Sequence, residues 1–239
     1  MSSDVSITKG EVGTLAPLSF LTGTLKLDED FRKKIVKTID IQESNSRIDS
    51  LAESDGAWTG DVADAANLHQ DENLNTFFKK VYLAVGHYLA DIGINPAVFH
   101  FEVVRAWGTK TDIGRKIHQH SHSYCSLSLV YYPYKSDTKL YLTVENHPNE
   151  VVPGLVVEES YGNGILNPDN PNIANTVGII PEDDMFVVFP AATIHYTDKS
   201  EDVEPRYSIA VDVFLTLKDS TNVEANMPPK EVWRRLEDF

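Results

Sequence analysis

Apolar residues change their period twice along the chain. Between Asp28 and about residue 41, Phe31, Ile35, Val36 and Ile39 fall on one helical face. Asp28, Glu29 and Asp30 stand where the dipole of a helix N-terminus favours acids, so the spacing predicts a helix of about three turns. A stronger repeat follows at about 72 to 92, where Leu74, Phe77, Phe78, Val81, Tyr82, Val85, Leu89 and Ile92 recur at threes and fours. Gly93 and Pro96 end it. From about residue 98 the period falls to that of strands: "FHFEVVRAW", "CSLSLVYYPY", "KLYLTVE", "VGII", "MFVVFP" and "RYSIAVDVFLTL" are short β-branched or aromatic runs parted by Gly, Pro, Asp and Asn. "LSFLTGTL" near residue 20 reads as one further short strand.

Strands that follow two amphipathic helices suggest a mainly β fold, a sandwich or jelly roll with the helices buttressing one sheet. The expected organisation is a single domain: an N-terminal strand and helical buttress over 1–97, a jelly-roll core over 98–218, and a tail over 219–239. In the tail, "PPKEVWRRLEDF" reads as a short helix opened by proline. Residues 42 to 70 are polar around "SDGAWTGD", a surface loop anchored by Trp58. Gly108 and Gly114 mark another flexible loop on the approach to residue 118. The stretch from about 145 to 178 is a long connection rich in Gly, Pro and Asn, expected to act as a lid.

Composition narrows the function. The chain has 239 residues, of which 41% are hydrophobic, enough for one sizeable core. A formal charge of −15 argues against a nucleic-acid or anionic-membrane surface, which would need clustered Lys and Arg. The lone cysteine, Cys125, excludes an internal disulfide and a cysteine-based zinc cluster, so a reducing, cytoplasmic compartment is expected. Its apolar and serine neighbours make it a packing residue rather than a nucleophile.

Chemistry concentrates in "HQHSHSYCSLSLVYY", residues 118 to 132. In a strand, residues two apart share a face, so His118, His120 and His122 would point the same way. Two imidazoles from one segment can ligate a metal, but a third ligand must come from elsewhere; His195, in "FPAATIHYTD" at a turn, is the candidate. A solvated strand face would show the same isolated run. Eleven residues after His195, Arg206 opens an otherwise apolar strand, with Ser208 on its face. An arginine so placed either pairs with an acid such as Asp212 or, with the hydroxyl, receives a ligand carboxylate. Trp107 and Tyr132 read as core aromatics that border such a cavity. Ser126 and Ser128 share the histidines' face and would line it too. His69, His87, His100 and His147 have no identifiable partner.

The order HSH, S-x-VYY, FP-x(4)-H and R-x-S resembles the 2-oxoglutarate and Fe(II)-dependent oxygenase superfamily. More narrowly, "AW" ahead of "HSHSYCSLSLVYY" is similar to a branch in which H-x-H replaces the usual H-x-D. The resemblance implies a double-stranded β-helix, a cupin-like jelly roll. It implies His120, His122 and His195 as ligands of Fe(II), with Arg206 and Ser208 holding the remote carboxylate of the cosubstrate 2-oxoglutarate. His118 falls outside the pattern. With O2, such a site would hydroxylate a C–H bond of a small-molecule or peptidyl substrate. Two other readings stay open: a three-histidine dioxygenase working without 2-oxoglutarate, and a jelly-roll binding module without catalysis.

Overall fold

A computed structural model describes residues 18–46, 55–145, 152, 162–167, 170, 173–219 and 228–238. By its contacts the chain divides into two units, 1–18 with 145–175 and 19–144 with 176–239. In the first, the described residues include a turn in which the amides of Ile173 and Ala174 both donate to the carbonyl of Asn170. The lid expected over about 145 to 178 lies largely outside the described residues.

Among its described residues the second unit carries nine strands and two α-helices: β1 (Leu21–Thr24), α1 (Glu29–Asn45), β2 (Trp58–Thr59), α2 (Asn75–Asp91), β3 (Phe99–Thr111), β4 (Leu127–Tyr132), β5 (Leu140–Thr143), β6 (Thr176–Ile179), β7 (Met185–Pro190), β8 (Ile194–Thr197) and β9 (Arg206–Leu217). They form two antiparallel sheets, a major one in the order β1-β7-β4-β9-β3-β2 and a minor one in the order β6-β5-β8. The protein is a jelly roll with helices on one face of the major sheet.

Local sequence explains the helices. Asp28 caps α1 by accepting from the amide of Phe31 at 2.8 Å. Gly93, at φ 86°, takes the left-handed turn that closes α2, a conformation costly for any residue with a Cβ. Ile35 and Ile39 of α1, with Phe77, Val81, Val85 and Leu89 of α2, bury against Leu129, Tyr131, Val188, Ile209 and Val211 of the major sheet. Alternate residues of the same strands, Ser128, Val130 and Tyr132 among them, therefore face the other way, into a cavity.

Several expectations need correction. Gly108 is in strand β3, not in a loop: a Cβ there would lie 2.6 Å from Cγ1 of Ile39, so the glycine lets α1 approach the sheet. The polar stretch of 42 to 70 holds strand β2 and a 3-10 turn at Leu68–Gln70, because Trp58 and Thr59 pair with Lys110 and Thr109 of β3. The C-terminal tail forms two 3-10 turns, Lys230–Val232 and Leu236–Asp238, rather than a helix. Segments this short gain too few backbone bonds to propagate without apolar packing. Among the described residues, no helix is long and apolar enough to cross a membrane.

Candidate metal centre

The histidine run is not a strand. His120 makes an isolated antiparallel bridge with His195 of β8, each amide donating to the other's carbonyl at 3.1 and 2.9 Å. His122 donates its amide to the carbonyl of Ala191. The run thus lies along β8 as a fourth, irregular member of the minor sheet. That pairing, not a shared strand face, brings the rings together. His195, expected at a turn, sits within β8, whose partner β5 holds it opposite Leu142.

The three imidazoles converge. Their ligand nitrogens lie within 4.8 Å of one another, and the His120 and His195 ring centres are 4.1 Å apart. In each ring Nδ1 is already engaged: in His120 with the carbonyl of His118 at 2.8 Å, in His195 with that of Thr193 at 2.9 Å, and in His122 with Asp212 Oδ1 at 2.7 Å. Those partners are hydrogen-bond acceptors, so Nδ1 carries the proton and Nε2 keeps its lone pair for an ion. Burial, reinforced by the two neighbouring imidazoles, pushes His195 down to about 3. Desolvation at the cavity mouth lowers His120 in the same sense. His120 and His195 are therefore neutral at physiological pH, the form that binds metal.

A second cluster, His122, Cys125 and Asp212, also lies within 4.8 Å. It is unsuited to an ion. Its groups satisfy one another instead: His122 Nδ1 lies 2.7 Å from Asp212 Oδ1, and the Cys125 thiol, pushed up to about 12 by burial and by Asp212, donates to the same carboxylate. Ser128, His122 and Asp212 have the composition of a hydrolytic triad but not its geometry. Ser128 Oγ and Asp212 both contact Nδ1 of His122, at 3.0 and 2.7 Å, so Ser128 is not a nucleophile placed across Nε2.

The histidines border a cavity of about 270 Å³ that also takes in Arg206 and Ser208. Arg206 is 5% exposed. It donates from Nη1 to the carbonyl of Thr138 at 3.2 Å, and its guanidinium lies 5.4 Å from the centre of the Tyr132 ring. Its Nε has no partner, and no ion-pair partner of the guanidinium is present among the described residues. The alternative pairing of Arg206 with Asp212 is excluded. That carboxylate is taken by His122, by Ser128 Oγ at 3.0 Å, by Arg105 Nη2 at 3.0 Å and by the Tyr124 hydroxyl at 3.3 Å. Asp202, whose carboxyl Arg206 helps to hold low, makes no contact ion pair with it; a buried guanidinium without a contact partner for Nε, facing a cavity, suits an anion.

Residues 105–212 match the family described as "Putative 2OG-Fe(II) oxygenase". Over that segment, a little under half of its length, the chain is similar to the 2-oxoglutarate- and Fe(II)-dependent oxygenases. Solved structures share the fold. The α-ketoglutarate-dependent carbocyclase SnoK from nogalamycin biosynthesis is 9% identical over 89% of each chain, with a TM-score of 0.55. HygX from Streptomyces hygroscopicus, solved with nickel and 2-oxoglutarate bound, is 10% identical over 88% of this chain and 92% of its own, with a TM-score of 0.51. AviO1 from Streptomyces viridochromogenes is 9% identical over 90% and 93%, with a TM-score of 0.52. No curated protein sequence matches the chain.

Of the other residues expected at the oxygenase site, Trp107, Ser128 and Tyr132 line the cavity. Ser126 does not. Its Oγ accepts from the amide of Leu215, so it ties the segment before β4 to β9. His118 stands at the rim, exposed, with Nε2 3.0 Å from Asp55, a carboxylate that also pairs with Lys116 and Lys199. Sequence reasoning missed the role of Asp212 and overlooked Arg105. The signal was present: an acid isolated in the apolar run "IAVDVF" must find a partner when buried, and Arg105 is its register partner in β3.

Proposed function

We propose that this enzyme binds Fe(II) through His120, His122 and His195 and 2-oxoglutarate through Arg206 and Ser208, and that it hydroxylates a C–H bond of a small molecule or an amino-acid side chain. The observation that carries the cosubstrate is the buried guanidinium of Arg206, which has an unpartnered Nε and faces the same cavity as the three imidazoles. The cavity's donor set suits both ligands: three convergent lone pairs for a divalent cation, and a cation with a neighbouring hydroxyl for a carboxylate. When bound, ferrous iron with 2-oxoglutarate and O2 supplies oxidising power, yielding succinate and CO2 and placing one oxygen atom on the substrate.

The chain's own residues orient and exclude. The carbonyls of His118 and Thr193, and the carboxylate of Asp212, hold the ring protons on Nδ1 and aim Nε2 at one point. Tyr132 packs against the Arg206 guanidinium and keeps the inner end of the cavity apolar, with Val130 and Leu140 beside it. Low local polarity strengthens the hold of Arg206 on an anion. Gly56, Ala57, Thr59 and Asp61 line the cavity with the histidines, and substrate choice is assigned to them.

The three-histidine set also fits a dioxygenase that chelates its substrate directly. Such an enzyme has no use for the unpaired Arg206, which favours the first reading. The two separate on one measurement. Purified protein given Fe(II), ascorbate, O2 and 2-oxoglutarate should form succinate, detected by mass spectrometry, and the His195→Ala variant should not. Metal-dependent O2 uptake without succinate would favour the dioxygenase. Succinate no higher than in His195→Ala would overturn the proposal.

A further inference from the structure

Asp212 is the most heavily engaged acid in the described protein and the only one with no exposed surface. Oδ1 accepts from Nδ1 of His122 at 2.7 Å and from Ser128 Oγ at 3.0 Å. Oδ2 accepts from Nη2 and Nε of Arg105 at 3.0 and 3.3 Å, and from the Tyr124 hydroxyl at 3.3 Å. The Arg105 guanidinium is itself clamped, 4.8 Å from the centre of the Trp107 ring and 4.5 Å from that of Tyr124. No lone pair is left pointing at the cavity, so Asp212 is not itself a ligand. Yet its charge stands one imidazole away from the converging nitrogens.

We infer that Asp212 is a positioning residue for the metal: acting through Nδ1 of His122, it supplies the negative charge that most of the superfamily carries on a ligand carboxylate. The inference rests on the proposed assignment of His120, His122 and His195 as ligands. The three histidines differ in a way that points to it. His120 and His195 give their Nδ1 protons to neutral carbonyls, and only His122 gives its proton to a carboxylate. His122 is also the residue standing where the carboxylate of H-x-D would be. A hydrogen bond to an anion makes the imidazole a stronger donor at Nε2 and fixes its ring plane. Arg105 does not cancel this effect, because it binds the opposite oxygen and is partly open to solvent, at 30% side-chain exposure.

The test separates the charge on His122 from the ion pair behind it. Asp212→Asn and Arg105→Gln both break the Arg105–Asp212 pair, but only the first removes the charge from His122. Co(II) is titrated into metal-free, full-length protein, with affinity read by calorimetry and ligand field by the visible d–d bands. Asp212→Asn should lose about 10- to 100-fold in Co(II) affinity and shift the bands, in line with the usual effect of a group that orients a ligand histidine. Arg105→Gln should keep wild-type affinity and spectrum. Equal losses in both variants, or wild-type behaviour in both, would overturn the inference. Should Asp212→Asn not fold, the double variant Arg105→Gln/Asp212→Asn leaves no buried charge unpaired. Its comparison with Arg105→Gln alone then isolates the same carboxylate and is read in the same way. A wild type that takes up no Co(II), like the His195→Ala control, would sink the ligand assignment rather than the role of Asp212.

Discussion

Replacing Arg206 by methionine should make the ligand-free protein more stable and, in the same step, insensitive to 2-oxoglutarate. Arg206 is 5% exposed, and its guanidinium makes one hydrogen bond to the Thr138 carbonyl and leaves Nε without any. A buried polar group left unsatisfied costs about 1–3 kcal/mol, and a charged one more, although the cavity on one side relieves part of that. Methionine keeps the unbranched stem against Tyr132 and removes the charge. The metal-loaded, 2-oxoglutarate-free variant should therefore gain about 1–3 kcal/mol, which at this chain length raises the melting temperature by roughly 2–4 °C per kcal/mol. Cosubstrate binding moves the opposite way. Losing a charge-assisted, bidentate contact in a desolvated pocket costs about 2–5 kcal/mol, or roughly 30-fold or more in affinity. At about 100 times its dissociation constant, 2-oxoglutarate stabilises the wild type by about 2.7 kcal/mol, so the melting order of the two proteins should narrow or invert as cosubstrate is added. The assay is a thermal melt of Mn(II)-loaded wild type and variant across a 2-oxoglutarate series. Two results would refute the reasoning: a variant less stable than wild type without 2-oxoglutarate, which makes Arg206 a structural residue, or equal 2-oxoglutarate shifts in both proteins.

Metal affinity should fall by orders of magnitude in His120→Ala, His122→Ala and His195→Ala but stay near wild type in His118→Ala, whose ring is turned to Asp55; calorimetric Mn(II) titration checks this, and a loss confined to His118→Ala would mean the wrong pair was chosen. Gly108→Val should destabilise by about 1–3 kcal/mol or more, since even a Cβ would meet Ile39 at 2.6 Å; urea unfolding monitored by tryptophan fluorescence measures it, and Ile39→Ala in the same chain should recover part of the loss. Metal-free protein should lose stability in acid through His195. Its folded value of about 3 lies below the unfolded value near 6.5, so the unfolded chain binds the extra proton between those limits and stability falls as pH drops from about 6.5 toward 3, by at most about 5 kcal/mol. His195→Gln should flatten that slope in a pH series of urea melts, and an unchanged slope would show that other groups set it.

Local pattern determined a good deal of this protein. The period of apolar residues placed both helices, because an amphipathic face must bury itself whatever lies opposite, and α1 and α2 begin within about three residues of the expected starts. Most strands were equally legible from β-branched and aromatic runs bounded by Gly, Pro and Asn. The residues that meet in the cavity, His120, His122, His195, Arg206 and Ser208, were legible as a motif order through the resemblance of HSH, S-x-VYY, FP-x(4)-H and R-x-S; only His195 and the strand residues Arg206 and Ser208 also stood out as polar residues beside apolar strands.

Tertiary structure alone decided how they meet. The histidine run has no strand of its own, and only pairing with β8, over 70 residues away, aims its rings. Asp212 could have served Arg206 or Arg105. A register shift between Val103 and Arg105 settled that, because one extra residue reverses the faces of everything beyond it. Strict alternation from Phe101 and Val103, which face the helices, would have turned Arg105, Trp107 and Thr109 toward the helices as well. The bulge turns Trp107 and Thr109 into the cavity instead and leaves Arg105 on Asp212, so that Asp212 does not serve Arg206. A bulge is paid for by contacts between strands far apart in the chain, which is why no stretch of sequence read by itself reveals it.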